Sequence, residues 1–468
     1  MREIIAYHGW GFSSLFWKEW QKKFVGEWSF CERSYFSQEE RKKLFFRHKD
    51  SIKIVCAHSL GLHFVSEDVL SSMDLLIVFS SFLCFHGADS QKTKAHLALM
   101  KQKLDQDPTD LLKKFYANCS APHHLENFAL VQKERLLEDL LFLDEHRLDL
   151  SGMQGKKILV FHGKEDRVVP YALGEKLAST VGGSSFFLVE NAGHVFSTVA
   201  QEEIFPVIEA DLSSRVKEKV CRNFSKASSS YASSACFAAL SVGKFMELLS
   251  SVQHSLPEGP ILEIGAGTGL LSKKILQCFP EKELIFSDLS LSMIAICQEL
   301  LSYDPAKVTF CQKDGEMMEE KEKYALILSG LALQWFEDIE GTLSRWHRAL
   351  KRGGYLLFSC LCSESFSEWE KICREENIPL TKNPLPDLKR LRVFLASLGG
   401  NVCVEEKRLS IPFATLRSFF RNLKETGAIT SKGKTMNVQQ RKKLLSVCQK
   451  KGSLTITYQI GFALVRKR

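Results

Sequence analysis

Two groups of residues have the types and the order to do chemistry. In the first half, Ser59, Asp166 and His194 each follow a short apolar run, in the order nucleophile, acid, base. A serine hydroxyl attacks a carbonyl when an imidazole takes its proton; a carboxylate fixes the imidazole's tautomer and stabilises the imidazolium. In the second half, ILEIGAGTG (261–269) ends an apolar run in Gly265, Gly267 and Gly269, and helical spacing resumes in LLSKKIL. That is a buried strand, a tight turn and a helix start, where backbone N–H groups meet a ligand. The third glycine comes one place earlier than the dinucleotide fingerprint requires. Glu263 precedes the first glycine, and Asp288 closes the next apolar run, ELIFSD, about where a ribose hydroxyl needs an acceptor.

The first group needs strands that end together. REIIAYHGWG reads as a strand running into a loop of His8, Gly9, Trp10 and Gly11, and SIKIVCAHSLGLHFV (51–65) as a strand that delivers Ser59 on the turn Ala57-His58-Ser59-Leu60-Gly61. The backbone at such an elbow is strained and crowded, so its flanks must be small; Ala57 meets that need where glycine is usual. ILVFHGKEDRVVP (158–170) puts Asp166 in a loop after a strand, and FFLVENAGHVFS (186–197) does the same for His194. This is the α/β-hydrolase order. The N–H groups of Leu60 and Trp10 are the expected oxyanion donors. His8 and His58 are expected to serve turn and packing, and His162 to pack under the acid loop. Ser59 follows Trp10 closely for a full eight-stranded sheet, which predicts a trimmed one. A charged insert, about 90–150, has apolar residues at helical spacing (Leu97, Met100, Leu104; Leu136, Leu140, Leu143). It is expected to be a lid whose underside, with Phe115, lines an acyl pocket, while Lys101, Lys103, Lys113 and Lys114 face an acidic partner.

The second group needs a sheet of its own. Residues 211–235 are polar and serine-rich, and a boundary near Ser213 divides the chain into 1–212 and 213–468. FSKASSSYASSACFAALSVGKFMELL then reads as a helix ahead of the core, with Phe224 and Tyr231 placed to cover a ligand or to dock the helix. After Asp288 come VTFCQKDGEMM, a strand ending at Asp314-Gly315-Glu316, and YALILSGLALQWFEDIEGTLSRWHRALKRGGYLLFSCL, a strand, loop, helix, turn and strand. Strands alternating with helices of this length predict a parallel, doubly wound sheet. VEEKRLSIPF and SLTITYQIGFALVRK supply antiparallel edge strands, with the basic helix ATLRSFFRNLKETGA between them.

Bulk composition agrees. The 468 residues are 45% hydrophobic and 25% charged, so both halves can bury a core. A net charge of +8 is too diffuse for nucleic acid and suits an acidic protein partner or a carboxylate substrate. The 14 cysteines include no CxxC, and no His/Cys pair has zinc spacing; no metal site is expected, and the pattern fits a reducing, cytoplasmic setting. MREIIAYHGW enters a strand directly, with neither signal peptide nor membrane span expected.

LEIGAGTG with Asp288 resembles motif I of class I S-adenosylmethionine methyltransferases, a Rossmann-like α/β fold. The resemblance implies that Glu263, Gly265, Gly267, Gly269, Asp288, Asp314 and Gly315 bind that cofactor, with Asp314 accepting from the adenine amino group. FSKASSSYA, LEIGAGTG, DGE, SGLALQWFED, TLRSFFRNLKETGA and LTITYQIGF together resemble the BioC-type malonyl-[acyl-carrier protein] O-methyltransferases over nearly all of the second half. HGWG, AHSLG, GKEDRVVP and NAGH resemble the pimeloyl-[acyl-carrier protein] methyl ester esterases, with motifs shared by many esterases. The implied partner is an acidic acyl carrier protein acting in trans, since the chain holds no carrier DSL serine motif. Arg417, Arg421 and Lys424 are the candidate cations for a substrate carboxylate or for steering the carrier. Two other functions stay open: a methyltransferase for another small carboxylate or phenol joined to a general esterase, or a first half that only docks the carrier.

Overall fold

The computed structural model describes all residues except 1, 39, 40, 49, 50, 88, 89, 122–127, 235, 381, 427, 429–437 and 451, and the side chains of 129, 151, 228–234, 236–238, 438, 441, 445, 448 and 450. The chain divides into two compact units, Met1–Arg215 and Val216–Arg468.

The first unit is built on six strands: β1 (Arg2–Tyr7), β2 (Glu27–Cys31), β3 (Ile52–His58), β4 (Leu75–Phe79), β5 (Lys157–Gly163) and β6 (Ser184–Val189). They pair in the order β2-β1-β3-β4-β5-β6, all parallel. Central strands such as LLIVF are buried along their whole length, as expected of a parallel sheet covered on both faces. Tyr7 lies beside Ala57, Ala57 beside Val78 and Val78 beside Val160. Four strands therefore finish together, and the loops after them open along one edge. Between β4 and β5 the insert folds into helices Ser90–Gln106, Pro108–Cys119 and Lys133–Glu145. Their inward residues Leu97, Leu104, Leu112 and Leu136 share one buried cluster with Trp10 and Leu60. This is an α/β-hydrolase fold with a trimmed sheet and a helical lid.

The second unit holds β7 (Ile261–Ile264), β8 (Leu284–Asp288), β9 (Val308–Gln312), β10 (Tyr324–Gly330), β11 (Leu350–Leu361), β12 (Asn401–Phe413) and β13 (Leu454–Arg466), in the order β12-β13-β11-β10-β7-β8-β9. β7 to β11 run parallel; β13 is antiparallel to both neighbours. The chain leaves β7 toward β8 and β9, then crosses back to β10. The crevice at the carboxyl ends of β7 and β10 is the switch point at which doubly wound sheets bind ligands. This is the Rossmann-like fold of class I methyltransferases.

The helix expected from Phe224 through the serines is present, but it starts earlier, so the junction expected at 211–223 is itself helical. It belongs to one helix, Thr198–Ser234, with Pro206 inside it. Apolar residues four apart (Ala200, Ile204, Ile208, Leu212) are buried and sustain the helix, and Val220 and Ala227 are buried further along.

Candidate active sites

In the first unit, Ser59 sits where β3 turns into a short 3-10 helix, Ser59–Phe64, with φ of +53°. That left-handed conformation is costly for a non-glycine residue and is held by its surroundings. A Cβ on Gly61 would lie 2.6 Å from the carbonyl oxygens of Tyr7 and His8, so glycine lets the elbow press on the end of β1. The Ser81 hydroxyl donates to the Ser59 carbonyl at 2.7 Å. Leu60, next after the serine, is buried with Trp10 under the lid.

Asp166 is fixed at both oxygens. Oδ1 accepts from the N–H groups of Val168 and Val169 at 2.8 Å each. Oδ2 lies 2.8 Å from His194 Nδ1 and 3.2 Å from His162 Nε2. Burial alone would raise this carboxyl; the His194 charge and hydrogen bonds from His162 and His194 outweigh it and hold Asp166 well below the usual carboxylate range. With Nδ1 engaged, His194 Nε2 is buried and has no hydrogen-bond partner among the described residues, so it is the nitrogen left to move a proton. His162 does pack under the acid loop, as expected, but it also touches the acid, which its sequence position does not reveal. His58 stacks on Phe16 at 4.3 Å and donates from Nε2 to the His194 carbonyl at 3.1 Å. Burial pushes its pKa far down, so it packs as a neutral ring. His8 lies in its turn, 3.4 Å from Glu32 Oε2.

The lid holds both loops of this site. The Trp10 indole donates to the Leu136 carbonyl at 2.9 Å, and Tyr116 donates to the Gly11 carbonyl at 2.5 Å. Val195 N–H donates to the Cys119 carbonyl at 3.0 Å. Phe115 is half-buried and meets Trp10 edge-on, with ring centroids 5.0 Å apart. One expectation about the lid fails in part. Lys101 is half-buried on Asp144 at 2.5 Å and Lys114 pairs with Asp110, so of the four lysines only Lys103 and Lys113 are exposed without an ion pair among the described residues.

In the second unit a cavity of about 140 Å³ opens at the ends of β7 and β10, lined by Gly265, Gly267, Asp288, Asp314, Gly330 and Trp335 among others. Gly265, Gly267 and Gly269 all have positive φ, at +76°, +57° and +88°. A Cβ on Gly265 would lie 2.6 Å from that of Ala332, whereas one on Gly267 would meet nothing within 4 Å. Gly265 is therefore glycine for packing, and Gly267 leaves backbone bare toward the cavity. Asp288 accepts from Gly267 N–H at 2.9 Å and from Ser290 N–H at 2.8 Å, which ties the turn to the end of β8. Glu263 is buried, accepts from Ser272 Oγ at 2.6 Å, and lines an adjoining cavity of about 50 Å³ beneath the same turn. Burial, with Asp288 nearby, raises its pKa to about 8. Gly315 packs where a Cβ would be 2.5 Å from Ile264, and its carbonyl accepts from the Trp346 indole.

Phe224 closes on Trp335 edge-on, at 5.2 Å, and both line the cavity; the Tyr231 side chain lies outside the described residues. Bare backbone at Gly267, two carboxylates at the ends of β8 and β9, and rings along one wall fit a molecule with an adenosine at one end. Arg417, Arg421 and Lys424 lie on the exposed face of helix Leu416–Glu425, which turns Leu416 and Phe419 inward, and none lines the cavity. The lysines that line it are Lys217 and Lys313, both ion-paired. Among the described residues no cluster could hold a metal ion, and no helix is long and apolar enough to cross a membrane.

Comparison with known proteins separates the units. Residues 261–354 match the family described as "Methyltransferase domain", and residues 144–204 the family described as "TAP-like protein". The malonyl-[acyl-carrier protein] O-methyltransferase of Magnetococcus marinus is 33% identical over 213 residues, 45% of this chain and 78% of that protein. The chain belongs to the malonyl-[acyl-carrier protein] O-methyltransferase family. A further match is the biotin biosynthesis bifunctional protein BioCD of Bordetella avium, 31% identical over 217 residues, 46% of this chain and 45% of that protein. Among solved structures, an esterase from Exiguobacterium antarcticum is 15% identical over 45% of this chain and 91% of its own, with a TM-score of 0.38. This family member thus carries a hydrolase-like unit fused ahead of an S-adenosylmethionine-dependent methyltransferase unit.

Proposed function

We propose that the second unit methylates the free carboxyl of malonyl-[acyl-carrier protein] and that the first unit hydrolyses pimeloyl-[acyl-carrier protein] methyl ester, so that one chain adds and later removes a methyl cap in biotin synthesis. Family membership supports the first activity. The observation that carries the second is Asp166 bonded to His194 Nδ1, with Nε2 free, on the loop beside the Ser59 elbow.

For methylation, Gly265, Gly267 and Gly269 with Asp288 and Asp314 would hold S-adenosylmethionine, which supplies an electrophilic methyl group. A malonyl carboxylate is already an anion at neutral pH, so the unit needs no general base. Its residues instead align the acid and exclude water: Phe224, Trp335 and Phe336 wall the cavity with rings.

For hydrolysis, Ser59 Oγ attacks the ester carbonyl while His194 Nε2 takes its proton. Asp166 holds the ring in the tautomer that leaves Nε2 basic and stabilises the imidazolium. N–H groups of Leu60 and Trp10 receive the oxyanion. The imidazolium then protonates the departing methoxide, releasing methanol. Water, deprotonated by His194, attacks the acyl-serine and restores Ser59. The methyl ester of a pimeloyl chain has about four more methylenes than its malonyl counterpart. At about 0.8 kcal/mol each, burying them under the lid gives about 3 kcal/mol, on the order of a hundredfold preference. That preference keeps the unit from stripping the cap as soon as it is added.

The test is to incubate the protein with S-adenosylmethionine and malonyl-carrier, and separately with pimeloyl-carrier methyl ester, and weigh the carriers by mass spectrometry. Gain of one methyl in the first and loss of one in the second are expected. A carrier unchanged in either reaction removes that half of the proposal.

A further inference from the structure

Three residues on one face of helix Thr198–Ser234, at positions 217, 220 and 224, line the cofactor cavity. Val220 and Phe224 bring apolar surface to it. Lys217 brings a charge, and its placing is specific: Nζ lies 2.8 Å from Asp314 Oδ2 and 2.6 Å from Glu316 Oε2. The same face is tied to the loop after β8 by Cys221 Sγ on the Leu289 carbonyl and by Ser225 against Ser290 at 2.8 Å.

Asp314 is the carboxylate proposed to accept from adenine. Its Oδ1 is already taken by Glu316 N–H at 2.9 Å. Glu316 is buried, with Oε1 accepting from the N–H groups of Glu337 and Asp338. Two carboxylates this close repel, and Lys217 between them holds both in place. An Asp314 turned out of this rotamer would be a poor acceptor for an amino group.

We propose that Lys217 is a positioning residue for the cofactor: it holds Asp314 in one rotamer, and by the same contact ties helix Thr198–Ser234 to the adenine site. The inference rests on adenine meeting Asp314. Each carboxylate oxygen accepts more than one hydrogen bond, so Oδ2 holds Lys217 and still has a lone pair for the ligand. Lys217 touches no reacting atom. Binding of the malonyl-carrier does not depend on it, and its loss should be felt in cofactor affinity alone.

A double-mutant cycle on the full chain tests this, with S-adenosylhomocysteine binding measured by calorimetry on K217M, D314N and the pair. K217M keeps the stem and removes the charge. It should weaken binding about tenfold, the size expected when a charge-assisted bond on a recognition group is lost. D314N should weaken it similarly, and adding K217M to D314N should cost no more than about twofold further. K217R should recover most of the loss. Steady-state kinetics should show a raised KM for S-adenosylmethionine with the KM for malonyl-carrier unchanged, a split that loss of packing alone would not produce. Wild-type affinity in K217M, or an equal loss in both backgrounds, overturns the role given to Lys217 while leaving adenine on Asp314. Wild-type affinity in D314N overturns the placing of adenine itself, and the inference falls with it.

Discussion

At Asp166 one carboxylate meets two imidazoles, yet only His194 can serve as the base. His162 Nε2 also lies 2.9 Å from the Val169 carbonyl and its ring is buried, so it steadies the acid from below. D166N keeps the shape and loses the tautomer control; ester hydrolysis should fall on the order of 10⁴-fold while methyl transfer is unchanged, as read by the two carrier assays. Glu263 behaves in the opposite sense. Its folded pKa is raised to about 8 from an ordinary 4.5, so the folded state holds a proton that the unfolded chain releases. Its contribution to stability is complete below about pH 4.5 and gone above about pH 8, and each pH unit between those limits removes about 1.4 kcal/mol. Urea unfolding of the cofactor-free second unit in the intact chain should show this decline in the wild type and a flatter profile in E263Q. An unchanged slope in E263Q would assign the decline to other groups. The three proposed triad residues can be picked from the sequence because each follows a strand of the parallel sheet, where a turn or loop carries it to the same edge. Lys217 and the second role of His162 cannot, because each acts across the fold on a residue distant in sequence or already counted for something else.

The elements decide which glycines matter for binding and which for folding. Gly265 faces Ala332 and Gly267 faces open cavity, so two similar substitutions should fail differently. G265A should destabilise the unit by about 1–3 kcal/mol through overpacking, seen as a lowered melting temperature. G267R meets no neighbour but places a side chain at φ of +57°, so it should cost about 1–2 kcal/mol of stability and abolish S-adenosylhomocysteine binding in calorimetry; retained affinity would contradict the turn's role. In the lid, Phe115, edge-on to Trp10, is the proposed acyl-chain contact. F115A should cut kcat/KM for pimeloyl-carrier methyl ester about tenfold and that for a short acetate ester less than twofold. Apolar periodicity reveals the lid helices and the strands, because burial writes a repeat into the chain. It leaves 211–223 as a junction, where helix Thr198–Ser234 is already running through a polar stretch with a weak apolar signal. It likewise leaves the facing of Arg417, Arg421 and Lys424 open, since a basic helix face reads the same whether it lines a cavity or lies exposed.

Across the whole molecule the chemistry is coherent only as a pair. With the proposed functions, a unit that makes a methyl ester and a unit that cleaves one would cancel unless they differ in the acyl length they accept. The net charge of +8, with Lys103 and Lys113 exposed on the lid and Arg417, Arg421 and Lys424 exposed on the second unit, suits an acidic carrier visiting each unit in turn. Both activities should therefore weaken as salt rises from low to physiological concentration, read as a higher KM for carrier substrates with kcat little changed. The measurement that bears most directly on the central claim is the ratio of hydrolysis rates for pimeloyl-carrier methyl ester and malonyl-carrier methyl ester, with S59A as the blank. A ratio on the order of a hundred is expected from the buried methylenes. Equal rates for the two chain lengths would contradict the division of labour between the two units.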